Sequence, residues 1–176
     1  VQELKESGQR SDEELRNRRV EGIRDQQKLE KVLQNLLHHY KAEALELIEQ
    51  EYHYSLFENM AVAILVPACY SNSEAGIRIS SEQRMIQLCM EYVDVKKLGI
   101  SFWDENGNQI VVALYSDRCS SDGVDVIRNL AYRIRDELGY MPRTAIGSVA
   151  QGMEQLKTSY QEAVYMIENE QKQFTD

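Results

Sequence analysis

Six apolar residues follow one another without a break, Ala61-Val62-Ala63-Ile64-Leu65-Val66, and end at Pro67. Successive side chains of a strand point to opposite faces, so a half-exposed strand alternates apolar with polar. A run with no polar member predicts a central strand buried on both faces. Pro67 has no N–H to give to a ladder, so the strand is expected to stop there. The wider apolar stretch, Met60 to Cys69, is too short to span a bilayer. No signal peptide is visible.

The rest of the chain arranges itself around that strand. Tyr70 to Gly76 reads as a loop, and Ser80-Ser81-Glu82-Gln83 as a capping box that opens a helix. Ile86, Cys89, Met90 and Val93 then share one helical face. Gly99 to Trp103 and Gln109 to Tyr115 flank an Asn-Gly pair, the signature of a β-hairpin. The polar stretch Ser116 to Gly123 leads to a second helix with the stripe Ile127, Leu130, Ala131, Ile134 and Leu138, stopped by Gly139. Thr144 to Val149 is a short strand. A last helix carries Met153, Leu156, Tyr160, Ala163, Val164 and Ile167 on one side. This order predicts an α+β fold, a ferredoxin-like antiparallel sheet with helices on one face.

Residues 1–50 are different. Leu29, Leu33, Leu36, Tyr40, Ala44 and Leu47 recur at steps of three and four, which predicts a long N-terminal helix. Residues 1–50 are expected to be a helical connector and possible coiled coil, and residues 51–176 the globular domain. A lone helix of this kind is marginal in water, so its stripe needs a cover. Packing on the domain and pairing with a second copy both supply one. The expectation is a homodimer through Leu29, Leu33, Leu36 and Tyr40.

Charge excludes one class of function. The chain carries a net −9, and residues 51–176 hold 18 acidic against 11 basic residues, or −7. Nucleic-acid binding requires a basic surface. The local basic runs, Arg16 to Arg19 and Arg128 to Arg135, alternate with acids and read as solvated helix faces. Three widely spaced cysteines, Cys69, Cys89 and Cys119, suggest a reducing, cytoplasmic compartment. His38 and His39 are adjacent and point to different helix faces, whereas a metal pair on a helix needs a spacing of three or four. His53 stands alone. No phosphate-binding glycine loop or nucleophile elbow is present. The chain opens on Val1 and reads as a segment of a longer protein.

One pattern points to a family. Thr144-Ala145-Ile146-Gly147-Ser148, then Leu156, then Ser159-Tyr160-Gln161-Glu162-Ala163, resembles a strand ending in Ile-Gly followed by a helix carrying Ser-Tyr-x-Glu-Ala. That combination is similar to the GGDEF-like central domain of AraC-type response regulators of the YesN class. PucR- and CdaR-type regulators carry a related domain. The resemblance spans residues 57–170 and is clearest over 100–168. It implies a nucleotide-cyclase-like fold set between an upstream receiver or sensor module and a C-terminal DNA-binding domain, neither of which lies in this chain. Gly147 and Tyr160 are equally explained as packing residues.

The resemblance also implies where cyclase chemistry would sit. An active diguanylate cyclase of this fold holds two metal ions on carboxylates, one from an Asp at the end of the first strand and one from the Gly-Gly-Asp-Glu-Phe turn. Here the turn reads Asn106-Gly107-Asn108-Gln109-Ile110, a degenerate version with carboxamides at both acidic positions. Mg²⁺ prefers hard anionic oxygens, and a carboxamide oxygen bears only partial charge. The first strand ends Leu65-Val66-Pro67-Ala68-Cys69, with no carboxylate. Asp104 and Glu105 precede the turn and are expected to point into solvent. The expectation is therefore no catalysis, no metal and no cofactor. The domain would relay a signal, touching DNA only through the missing domain and no membrane itself. The alternative is a sensor that binds a small molecule or nucleotide in a degenerate cyclase cleft.

Overall fold

A computed structural model describes residues 27–28, 30–34, 36–38, 59–67, 75–105 and 107–173. Four strands form one antiparallel sheet in the order β2-β3-β1-β4, with β1 at Met60–Val66, β2 at Gly99–Asp104, β3 at Gln109–Tyr115 and β4 at Arg143–Ile146. Helix α1 (Ala75–Cys89) joins β1 to β2, α2 (Val124–Leu138) joins β3 to β4, and α3 (Met153–Gln173) follows β4. This is the expected ferredoxin-like order. Helical residues also occur at 27–28, 30–34 and 36–38.

The helices cover both faces of the sheet, not one. On one face Ala63, Leu65, Ile110, Val112 and Leu114 pack against Met85, Leu88 and Cys89 of α1 and Val126, Ile127, Leu130 and Ile134 of α2. On the other, Met60, Val62, Ile100, Phe102, Val111 and Ala113 pack against Leu156 of α3 and against Leu33, Leu36 and Leu37. Ala163 and Ile167 of α3 close over Ile64. The physical reason is the apolar run itself. Met60 through Leu65 is wholly buried, so helices on a single face would leave half of β1 in water.

The N-terminal stripe is thus partly claimed by the domain. Leu33 and Leu36, expected at a dimer seam, are fully buried in the domain's own core. Leu29 and Tyr40 lie outside the described residues.

Two boundaries differ from expectation. Helix α1 begins at Ala75, so Ser80 and Ser81 sit within it and not at its cap. The Ser81 Oγ lies 3.3 Å from the Tyr140 hydroxyl. A capping-box pattern is local, and a helix tolerates the same residues in its interior when their hydroxyls find other partners. Helix α1 runs directly into a π-helical turn, Met90–Asp94, where Val95 N–H donates to Met90 O at 3.0 Å. Strand β4 is shorter than Thr144 to Val149. Beyond Ile146 the chain stays on β1 only through Gly147 N–H to Val62 O (2.9 Å) and Ala150 N–H to Met60 O (2.8 Å).

Candidate functional site

The named side chains of the Ser-Tyr-x-Glu-Ala segment tie α3 to the sheet and to the segment that follows β4. Ser159 Oγ accepts the buried Val62 N–H at 2.9 Å. That amide lies where β4 has already begun to leave β1, and a buried N–H needs a partner. Glu162 Oε2 accepts both Ser148 N–H and Ser148 Oγ–H at 2.7 Å, which holds its carboxyl below the ordinary range. Ala163 packs on Ile64. Gly147 is required by the closeness of this approach: a Cβ there would fall 2.0 Å from the Ser159 carbonyl oxygen, a helix backbone atom that cannot step aside. Ser159 is thus a ligand of the backbone. Ser159→Ala should cost about 1–3 kcal/mol, the desolvation of an unpaired buried donor, read as a lower urea midpoint. An unchanged midpoint would show that Val62 N–H finds another acceptor.

Tyr160 leads to the hairpin. Its hydroxyl donates to Asp104 Oδ2 at 3.1 Å and accepts from Gln109 Nε2 at 3.2 Å, and Gln109 Nε2 also lies 3.4 Å from Asp104 Oδ2. Burial, followed by the Asp104 carboxylate, pushes the Tyr160 phenol well above its ordinary value, so it stays a neutral donor. His38 completes the group, with Nε2 3.2 Å from Asp104 Oδ2 and its ring edge-on to Tyr160 at 5.3 Å between centroids.

The position of Asp104 corrects the expectation that it points into solvent. It is 2% exposed. Ile100, Phe102 and Asp104 alternate on one face of β2, so Asp104 inherits the buried face of Phe102. Its cross-strand partner is Gln109. The alternation was visible in the sequence; the proximity of the turn hid it.

The five residues of the hairpin turn, Asn106 to Ile110, have separate fates. Asn106 lies outside the described residues. Gly107 and Asn108 are exposed, and Asn108 adopts φ +48°, the left-handed region that Asn tolerates better than most residues. Gln109 is buried in the polar group, and Ile110 points through the sheet into the opposite core. Val66, the last residue of β1, together with His38, Gly107, Gln109, Tyr160, Arg143 and Glu168, borders a cleft of about 410 Å³. The end of β1 and the hairpin turn thus border one cleft. Among the described residues no cluster of His, Cys, Asp and Glu has the geometry to hold a metal ion.

Other sequence candidates lie away from this site. Cys89 is buried in the opposite core, and burial pushes its thiol far up, so it is inert. Cys119 is partly buried, and desolvation raises its thiol as well. Cys69, His39 and His53 fall outside the described residues. Among the described residues no helix is long and apolar enough to cross a membrane.

A family model of the GGDEF-like domain matches residues 38–168, the greater part of the chain. No curated protein and no solved structure matches it.

Proposed function

Because the chain belongs to the family of GGDEF-like domains, we propose that it is a non-catalytic relay domain of a bacterial transcription regulator of the AraC response-regulator type. It couples an upstream receiver or sensor module to a DNA-binding domain on its C-terminal side, in the cytoplasm, as a homodimer. The observation that carries this reading is the seat of the N-terminal helical residues. Leu33, Leu36 and Leu37 are core residues of the sheet face, at most 2% exposed. A displacement of the arriving segment must repack that face, which is the two-state element a relay needs.

The chemistry of the turn supports the non-catalytic part. Gln109, at an acidic position of the cyclase turn, engages its amide with Asp104 and Tyr160. Val66, the last residue of β1, and Pro67 after it carry no carboxylate. Phosphoryl transfer by two metal ions depends on anionic ligands to hold them. Incubation with GTP and Mg²⁺ or Mn²⁺ is expected to leave the nucleotide unchanged. Formation of a cyclic dinucleotide that a Gln109 substitution abolishes would overturn this part.

A second reading, a ligand-binding sensor, is favoured by the cleft, whose border mixes Arg143 and Glu168 with the polar atoms of His38, Gln109 and Tyr160. Calorimetric titration with GTP and ATP in the presence of Mg²⁺ separates the two. Heat of binding without turnover favours the sensor.

A further inference from the structure

Asp104 Oδ2 accepts two hydrogen bonds and has a third polar neighbour, His38 Nε2, that lies close without hydrogen-bonding to it. Tyr160 OH stands at 3.1 Å, His38 Nε2 at 3.2 Å and Gln109 Nε2 at 3.4 Å. Each oxygen of a carboxylate has room for about two donors. These three come from three separate elements: the N-terminal helical segment, α3, and the start of β3. Gln109 and Tyr160 are also bonded to each other, so either can hold the other in place near the carboxylate. His38, whose Nε2 makes no hydrogen bond to Oδ2, is the contact that can leave while both hydrogen bonds to Oδ2 are kept. Its side chain is 17% exposed, while that of Asp104 is 3% exposed.

Beyond Gln109 the contacts continue into the turn. A Cβ on Gly107 would lie 2.6 Å from both Cδ and Nε2 of Gln109, so the turn backbone rests directly on that carboxamide.

We propose that His38, Asp104, Gln109 and Tyr160 form a make-and-break junction through which the position of the N-terminal helical segment is read by the hairpin turn and α3. With His38 Nε2 beside Oδ2, Tyr160 and Gln109 supply the two hydrogen bonds, and the Gln109 contact is long. With His38 withdrawn, Tyr160 and Gln109 keep Asp104 satisfied, the carboxamide closes on the carboxylate, and Gly107 follows. Both arrangements keep the buried carboxylate hydrogen-bonded to Tyr160 and Gln109, which is what allows the junction two states. The inference rests on the relay reading and names the path that the relay takes.

The test is a cycle on the chain as it stands: His38→Ala, Gln109→Ala and the double variant, followed by amide hydrogen exchange. His38→Ala is expected to change exchange at residues 107–109 and around Tyr160 by about twofold or more, the lower end of coupling between contacting residues, with the urea midpoint nearly unmoved. In the Gln109→Ala background the same change should disappear. A merely structural His38 would instead lower protection across the sheet and act additively with Gln109→Ala, which would overturn the junction. Exchange at the turn that ignores His38 would overturn it as well. Failure of the relay reading is distinguishable: there the junction would show its coupling, while His38→Ala in the parent regulator would leave transcriptional output unchanged.

Discussion

Ala163→Arg is expected to remove about 4 kcal/mol or more of stability, read as a large fall in the urea midpoint. Ala163 is fully buried against Ile64 and Ile167 at the centre of the contact between α3 and β1. Any larger side chain there forces the helix off the sheet, and overpacking alone costs about 1–3 kcal/mol. The guanidinium adds the penalty of burying a charge without a partner. Arginine can escape part of that penalty by reaching along the helix toward the cleft, where Glu168 stands. Ala163→Leu separates the two contributions, since it overpacks without charge. Leucine should be the milder of the two, and both should weaken the fold. If neither moves the midpoint, α3 does not pack on the sheet through this face. The effect reaches beyond stability. Lifting α3 withdraws Ser159 from Val62 N–H and Tyr160 from Asp104, so the polar group at the cleft should come apart together with the packing.

How much of this was legible in the sequence depended on the range over which each signal acts. Periodicity is local, and it placed β1, the hairpin and the stripes of α2 and α3 where they are found. Ile127, Leu130, Ala131 and Ile134 are all buried, and α2 ends at Gly139 with φ +79°. The same logic extends to the layers that cover the sheet. A strand without polar residues already implies covering on both sides, so the helical segment before β1 had to serve as a cover along with α3. The burial of Asp104 was likewise written in the alternation Ile100, Phe102, Asp104, and was lost because acids beside a turn are usually exposed. Other features had no local signal. Ser159 and Val62 stand 97 positions apart, and Tyr160 and Asp104 stand 56 apart. Nothing in either neighbourhood announces that these polar atoms meet. The Ser-Tyr-x-Glu-Ala pattern marked the right helix as a resemblance, but the physical role of each residue in it became readable only in the folded chain.

Leu33→Glu carries the other large expected effect, and it bears directly on how the arriving segment works. Leu33, Leu36 and Leu37 lie on the sheet face with Met60, Val62, Ile100 and Phe102. Truncating a buried leucine to alanine costs about 2–5 kcal/mol, and placing a carboxylate in the same apolar site adds desolvation. The sum is about 5 kcal/mol or more, comparable with the whole stability of a small domain. Leu33→Glu should therefore unfold the domain or leave it barely folded, seen as loss of far-UV dichroism at low urea. From the sequence stripe alone, glutamate at Leu33 would be expected to dissociate a coiled coil and leave the globular part intact. The two outcomes are opposed, and one denaturation curve decides between them. Pairing between copies needs a residue outside this core, and Leu29→Glu is the variant that tests it. If Leu29 lies in a dimer seam, Leu29→Glu should sediment as a monomer with the urea midpoint of each subunit's fold preserved, while the unmodified chain sediments as a dimer. An unmodified chain that is monomeric at high concentration would end the dimer proposal and leave the segment as a covering helix of its own domain. The relay reading would survive that result, because a helix whose leucines form part of the core still moves the sheet face whenever it is displaced.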